Sequence, residues 1–278
     1  MKVTVLMENT AREGCGLVPE HGLSLYIEYR GKKLLLDAGS SGKFAGNAQA
    51  LGVDLSAVDI AVLSHGHYDH ADGLQRFFQL NSRAPVYVRP GAAGPYFARD
   101  PEGYRYIGVH RDIQQAGRLV EVQGLFPLME GGWLVPETVR DPAFAGQAAD
   151  LLFKRGEEDF IPDDYRHEQS LVLEGERGLV VFNSCSHGGI VNIVRGVLEQ
   201  LPGRTVYGVV GGFHMFGKGE SGMNCAPEYV FRVAGALKDL GVEEIFTGHC
   251  TGEPALNLLK ERFGPGCRAL SSGQTLDL

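Results

Sequence analysis

The 278-residue sequence predicts an α/β protein made of two similar strand-and-helix halves. Three observations predict it. Short apolar runs rich in Val, Ile and Leu recur in two series, and several are apolar on both alternating faces, as strands covered on both sides are. Segments with apolar residues at three- and four-residue spacing follow several of these runs, the mark of helices with one buried face. The 39 glycines, twice the usual share of about 7%, gather at the run ends, where turns need positive φ or close backbone approach.

In the first half, strands are expected over Val3–Met7, Ser24–Tyr29, Lys33–Leu36, Ile60–Leu63 and Val86–Val88. A helix is expected over Gly73–Leu80, with Asp72 as its N-cap. The second half repeats the theme, with strands over Ser170–Leu173, Leu179–Phe182, Val206–Val210, Glu244–Phe246 and Arg268–Leu270. Its helices are Ile190–Leu201, Glu228–Leu240 and Pro254–Phe263; Pro227 opens the second, and Gly241 and Gly264 stand just past the ends of the last two. A two-sheet sandwich with outer helices and a doubly wound sheet both fit this order, and periodicity does not choose between them. From Pro90 to Arg166 no period is sustained. The chain is therefore expected to form a single domain over 1–278 with an irregular, cap-like insertion over about 90–166 that covers the active site.

Hydrophobic residues make up 44% and charged residues 22%, a globular balance that excludes disorder and coiled coil. A net charge of −8 argues against a nucleic-acid partner, which would call for a phosphate-neutralising basic surface. The longest apolar runs, such as Ile60–Leu63 and Val206–Val210, are too short to cross a bilayer. The opening MKVTVLMENT lacks an apolar core followed by a small-residue cleavage site. Cys15, Cys185, Cys225, Cys250 and Cys267 form an odd, dispersed set with no CxxC pair. A cytoplasmic protein with free thiols is expected, its oligomeric state open.

The chemistry concentrates just after the strand Ile60–Leu63, in Ser64-His65-Gly66-His67-Tyr68-Asp69-His70. Three histidines and an aspartate fall within six residues, in a chain with nine histidines in all. Imidazole nitrogen and carboxylate oxygen are good ligands for Zn²⁺ and comparable divalent ions. A strand-to-helix turn lets His65 and His67 face one point while Asp69 and His70 face a second.

These residues resemble the HxHxDH signature of the metallo-β-lactamase superfamily at every fixed position. Asp37 in LLLDAG resembles that family's buried aspartate beneath the metal loop, and His249 in TGHC its last histidine ligand. The resemblance implies a four-layer αββα sandwich and so resolves the choice left open above. A narrower match joins EHGLS (20–24), SHGHYDH, NSCSHGGIVNI (183–193), GGFHM (211–215) and GHCTG (248–252). Together they resemble a subgroup named for 7,8-dihydropterin-6-yl-methyl-4-(β-D-ribofuranosyl)aminobenzene-5′-phosphate synthase, other members of which go by metal-dependent hydrolase. The sequence departs from the common pattern where most members carry a bridging aspartate: Cys185 stands there, either as a thiolate ligand or as a small buried thiol. For the third histidine of the first metal, His187 is preferred because the subgroup match centres on CSHGG. His167 is its rival, lying where the usual third histidine would fall.

The resemblance implies two divalent metal ions, zinc with iron or manganese as alternatives, and a bridging water made acidic enough to serve as nucleophile. His65, His67 and His187 would hold the first ion, and Asp69, His70 and His249 the second. Asp69, His214 and His21 are candidates for proton transfer or substrate contact, with a plain loop hydrogen bond the alternative for His21. Glu20 and Glu168 are candidates for orienting imidazoles, or for turn hydrogen bonds. His110 reads as structural. Lys43, Arg89, Arg105 and Arg111 could contact a phosphate, and Tyr96, Phe97, Tyr104, Tyr106 and Trp133 could stack on a planar ring. The expected partner is a phosphorylated or pterin-like small molecule, met by a hydrolase or transferase. A di-iron redox enzyme and a metal-dependent ligand sensor stay open, although oxygen-reducing members of the fold typically carry Glu where this chain has His67.

Overall fold

The computed structural model describes residues 1–147 and 150–278. In chain order the strands begin with β1 (Lys2–Met7), β2 (Ser24–Tyr29), β3 (Lys32–Leu36), β4 (Ile60–Val62), β5 (Val86–Val88), β6 (Tyr96–Asp100), β7 (Gly103–Tyr106), β8 (Leu119–Glu121) and β9 (Phe126–Met129). They continue with β10 (Gly132–Pro136), β11 (Leu151–Lys154), β12 (Phe160–Pro162), β13 (Gln169–Gly175), β14 (Gly178–Phe182), β15 (Val206–Gly211), β16 (Glu244–Thr247), β17 (Cys267–Ala269) and β18 (Thr275–Asp277). The helices are α1 (Lys43–Ala50), α2 (Tyr68–Ala71), α3 (Leu74–Leu80), α4 (Arg111–Gln115), α5 (Ile190–Gln200), α6 (Pro227–Asp239) and α7 (Glu253–Phe263).

The chain divides into two compact units. The first comprises Met1–Val122, Ala148–Glu168 and Ser272–Asp277. Its main sheet runs β18-β1-β2-β3-β4-β5-β8 and is antiparallel up to β3, then parallel from β3 through β8. Leu6, Leu35, Ala61, Leu63 and Val86 meet Phe44 of α1 and Leu74 and Phe77 of α3 in one apolar core. A smaller sheet, β12-β11-β6-β7, belongs to the same unit.

The second unit comprises Gln123–Gln147, Gln169–Ser271 and Leu278. Its sheet runs β17-β16-β15-β14-β13-β10-β9, with β14 to β17 parallel and the rest antiparallel. Val172, Val181, Val209 and Ile245 pack under the apolar faces of α5, α6 and α7, carried by Val194, Val233 and Leu259. The two halves legible in the sequence thus each form a seven-stranded mixed sheet. In each, parallel strands end side by side, which puts the loops after them on a common edge, the usual place for ligand groups in such sheets.

Two expectations need correction. The stretch from Pro90 to Arg166 is not irregular: it holds β6 to β12 and α4. Those strands are three to five residues long, and β7, Gly-Tyr-Arg-Tyr, is exposed throughout, so each offers too short a stretch for a period to be read. Asp72 does not cap the following helix. It closes α2, and Gly73 stands at the N-cap of α3, because the His65–His70 segment turns helical earlier, at Tyr68.

Two helical glycines are unused. At Gly46 in α1 and Gly235 in α6 an added Cβ meets nothing within 4 Å. Gly46→Ala and Gly235→Ala are each expected to stabilise the protein by about 0.5–1 kcal/mol, read as a higher denaturant midpoint at constant slope.

Candidate metal centre

In the first unit, β3 and β4 end together, and their loops carry the candidate ligand side chains. Asp37, just past β3, has φ of 58° and is 1% exposed. Its carboxylate accepts from the Ser64 backbone N–H (2.7 Å), from the Ser64 hydroxyl (2.7 Å) and from His70 Nδ1 (2.7 Å). These bonds fix two tautomers. A hydroxyl has one hydrogen, and Ser64 gives it to Asp37, so the Ser64 oxygen accepts from His65 Nδ1 at 2.8 Å. His65 and His70 therefore both carry the proton on Nδ1, which leaves Nε2 as the basic nitrogen of each ring, the form that coordinates a metal. His65, His67, Asp69 and His70 are all buried, and the His65 ring lies 4.6 Å from that of His67 and 4.3 Å from that of His70. This donor set, neutral imidazoles with anchored back sides beside a carboxylate, suits a divalent cation.

Behind His67 stands a second group, His67, Asp163 and His167. The Gly66 N–H donates to His167 Nδ1 at 2.9 Å, so His167 holds its proton on Nε2 and gives it to Asp163 at 3.0 Å. Both ring nitrogens of His167 are thereby engaged inside the unit. His67 Nε2 lies 3.8 Å from Asp163. Burial works to raise the Asp163 carboxyl, but the His167 hydrogen bond and the nearby His67 imidazole outweigh it and hold the group well below the ordinary carboxylate range. Burial pushes His67 below its ordinary 6.5, against the pull of Asp163.

Those two directions act with one sign. An unfolded chain takes up a proton at His67 below about pH 6.5 that the folded chain refuses, so stability is fullest above that value and falls as the pH drops through it. Asp163 contributes in full above its ordinary 3.8 and loses that contribution as the pH falls from there through its lower folded value. Metal-free protein is expected to melt progressively lower between about pH 7.5 and 5.5, and His67→Asn to flatten that slope. An equal slope in the variant would assign the proton uptake elsewhere.

In the second unit, β14, β15 and β16 end side by side and release Cys185 and His187, His214, and His249 and Cys250 in turn. Cys185, His187, His249 and Cys250 are buried, and His214 is half-buried. Ser186, His214 and His249 have φ of 51°, 46° and 49°, a region that side chains other than glycine seldom occupy. The loops are braced to one another: Phe213 N–H donates to Thr251 Oγ1 (2.9 Å) and Met215 N–H to the Cys250 carbonyl (2.9 Å). Strain that is braced this way concentrates at functional sites.

The sequence profile of the Metallo-beta-lactamase superfamily matches residues 17–196. The chain belongs to the metallo-beta-lactamase superfamily. It is 29% identical over 289 aligned residues to a curated Methanocaldococcus jannaschii protein named 7,8-dihydropterin-6-methyl-4-(beta-D-ribofuranosyl)-aminobenzene-5'-phosphate synthase, covering 99% of this chain and 96% of that one. Among solved structures, one titled a metal-dependent hydrolase of the beta-lactamase superfamily superposes with a TM-score of 0.84 at 28% identity, covering 100% of this chain and 99% of the other. Zn²⁺-bound PqqB from Methylobacterium extorquens matches in fold, with a TM-score of 0.61 at 16% identity over the whole of both chains. The α/β metallo-β-lactamase sandwich expected from the sequence is thus the fold found.

The remaining candidates sort by what they touch. His21 Nε2 lies 3.2 Å from Asp69 Oδ2, and its Nδ1 lies 3.3 Å from Asn9 Nδ2. Glu20 accepts from Ser41 Oγ at 2.7 Å and pairs with Lys43 at 2.8 Å. Glu168 is buried, with its N–H on the Tyr165 carbonyl. His110 caps α4. Arg89 is interior and donates to the Val122 carbonyl at 3.1 Å, and Arg105 pairs with Asp100 at 2.8 Å. Arg111 stays exposed at the start of α4. Tyr96 lies against His167 with ring centroids 4.1 Å apart, and Tyr104 stacks on Phe160 at 3.9 Å. Phe97 packs edge-on to Tyr106, and Trp133 lies under the Arg204 guanidinium. Sequence reasoning missed Asp163 and Cys250. The i,i+4 spacing of Asp163 and His167 and the adjacency of Cys250 to His249 were the signals available.

Proposed function

We propose that this chain is a di-metal enzyme that hydrolyses, or transfers a group from, a phosphorylated or pterin-like small molecule. The observation that carries the reading is the Asp37 anchor, which holds His65 and His70 as the tautomers a metal needs, beside His67 and Asp69. His65, His67 and His187 are the ligands proposed for one ion, and Asp69, His70 and His249 for the other. The engagement of both His167 nitrogens by Gly66 and Asp163 supports His187 over His167. Zinc, iron and manganese all suit the donor set.

Bound divalent ions supply Lewis acidity, which polarises a phosphoryl oxygen and acidifies water. The chain's own part is positional. Ser64 and Asp37 hold His65 and His70 from behind, and Asp163 lies behind His67. His21, with half its side chain in solvent, carries protons to and from Asp69 Oδ2. Similarity over nearly the full length to a protein named as a pterin–aminobenzene phosphate synthase supports the transferase form of the reading. We place the protein in the cytoplasm; among the described residues no helix is long and apolar enough to cross a membrane.

The first test is metal per chain by elemental analysis. Two ions in the wild type, falling to one or none in His187→Ala but unchanged in His167→Ala, is the expected result. Equal metal in wild type and His187→Ala removes His187 from the ligand set. Turnover of phosphodiesters or pterin phosphates that survives exhaustive chelation defeats the reading as a whole.

A further inference from the structure

Three adjacent strand ends of the second unit hold a group that the hydrolytic ligands do not include. Cys185, His214 and Cys250 each offer a ligand atom, and these atoms all lie within 4.8 Å of one another. We propose that Cys185, His214 and Cys250 form a further soft-cation site, a two-thiolate, one-imidazole cradle for Zn²⁺, beside His187 and His249, whose ligand atoms lie within 4.8 Å of the same Cys185 sulfur. The site stands whether or not the hydrolase reading does.

The spacing fits. With Zn–S near 2.3 Å and Zn–N near 2.0–2.1 Å, ligand atoms of a tetrahedral site sit roughly 3.5–3.8 Å apart, so a slight contraction of this group closes it. The backbone around it is already set by β14, β15 and β16 and by the cross-loop bonds, so little chain entropy remains to be lost.

Three further observations point to a cation. His214 Nδ1 is buried and has no hydrogen-bond partner, a cost that coordination, or the ring's rearrangement on coordination, removes. Cys250 Sγ accepts the His214 backbone N–H at 3.2 Å, the kind of donor that stabilises a thiolate. Last, a Cβ at Gly212 would sit 2.4 Å from Cys250 Sγ, so the second glycine of GGFHM is there to admit the sulfur. In this assignment His214 is a ligand, in place of the proton-transfer role its position in the sequence suggested.

The test uses the full-length metal-free protein, with Co²⁺ alone as probe. Wild type is expected to develop the near-ultraviolet sulfur-to-cobalt charge-transfer absorption of two thiolates. Cys250→Ser should lose about half of that intensity, the share of one sulfur in a two-thiolate site. The double variant Cys185→Ser/Cys250→Ser should lose all of it, and Cys225→Ser none. No band in wild type overturns the proposal. So does an undiminished band in Cys250→Ser, because Cys185 would then be acting alone. Should Cys250→Ser fail to fold, ¹¹³Cd NMR of the wild type decides. A downfield sulfur-ligated resonance apart from the nitrogen- and oxygen-ligated ones supports the site, and its absence overturns it. Loss of the hydrolase reading would show instead in turnover that ignores chelation, which neither spectrum reads.

Discussion

Asp37→Ala is expected to destabilise the protein by about 3–5 kcal/mol and to strip it of metal. The carboxylate accepts three hydrogen bonds in a site 1% exposed, and no water reaches the donors it would abandon. The Ser64 N–H and hydroxyl and the His70 Nδ1–H would each be buried without their acceptor. At roughly 2–4 °C per kcal/mol for a chain of this size, the melting temperature should fall by about 10 °C. The metal effect has a separate cause. Freed of Asp37, Ser64 can turn its hydrogen toward His65 Nδ1, which favours the tautomer with the proton on Nε2, the wrong nitrogen for coordination. Metal affinity is expected to drop by about 10–100-fold. Asp37→Asn separates the two effects, since the amide keeps the volume and one acceptor but not the charge. If Asp37→Ala melts within about 2 °C of wild type and keeps its metal, the anchor does not exist.

Gly66→Ala is expected to be as damaging, for a steric reason. The added Cβ would lie 2.0 Å from the Ala92 carbonyl oxygen and 2.8 Å from its carbon, and backbone on both sides leaves no flexible atom to yield. Overpacking of this kind costs about 1–3 kcal/mol or more. The larger effect should fall on metal binding: Gly66 sits between His65 and His67 and gives its N–H to His167 at 2.9 Å, so moving it spreads the two proposed ligands and releases the Asp163 group behind them. Metal content by elemental analysis, set against the denaturant midpoint, separates the two losses. A variant that folds and binds metal as the wild type does would show that the loop can shift bodily without consequence.

The strands that carry the site were legible because they are apolar, β-branched and bounded by glycine. β4, β14, β15 and β16 all fall within one or two residues of where periodicity put them. The helix α1 was not read, since Lys-Phe-Ala-Gly-Asn-Ala-Gln-Ala mixes glycine and asparagine into a helix that packing on β1 sustains. β18 was missed for a similar reason: three residues with one buried side chain become a strand only by pairing with β1. In β6 to β12 the pattern is short and partly exposed, and tertiary pairing decides the conformation there.

HxHxDH stands out as a candidate ligand set because four side chains able to coordinate a metal fall within six residues, and the family resemblance follows from that motif with its glycine-rich companions. Which nitrogen each histidine presents was not written there. Asp37 sets it for His65 through Ser64, 27 residues away along the chain, and for His70 directly, 33 residues away. Asp163 and Gly66 engage His167, and the strand order of the second sheet brings Cys250 onto Cys185 across 65 residues. Residue types and spacing determine which atoms a chain has for coordination, because those are properties of the local covalent chain. Protonation and pairing are decided by hydrogen bonds between residues far apart in sequence, and only the folded sheets bring those together.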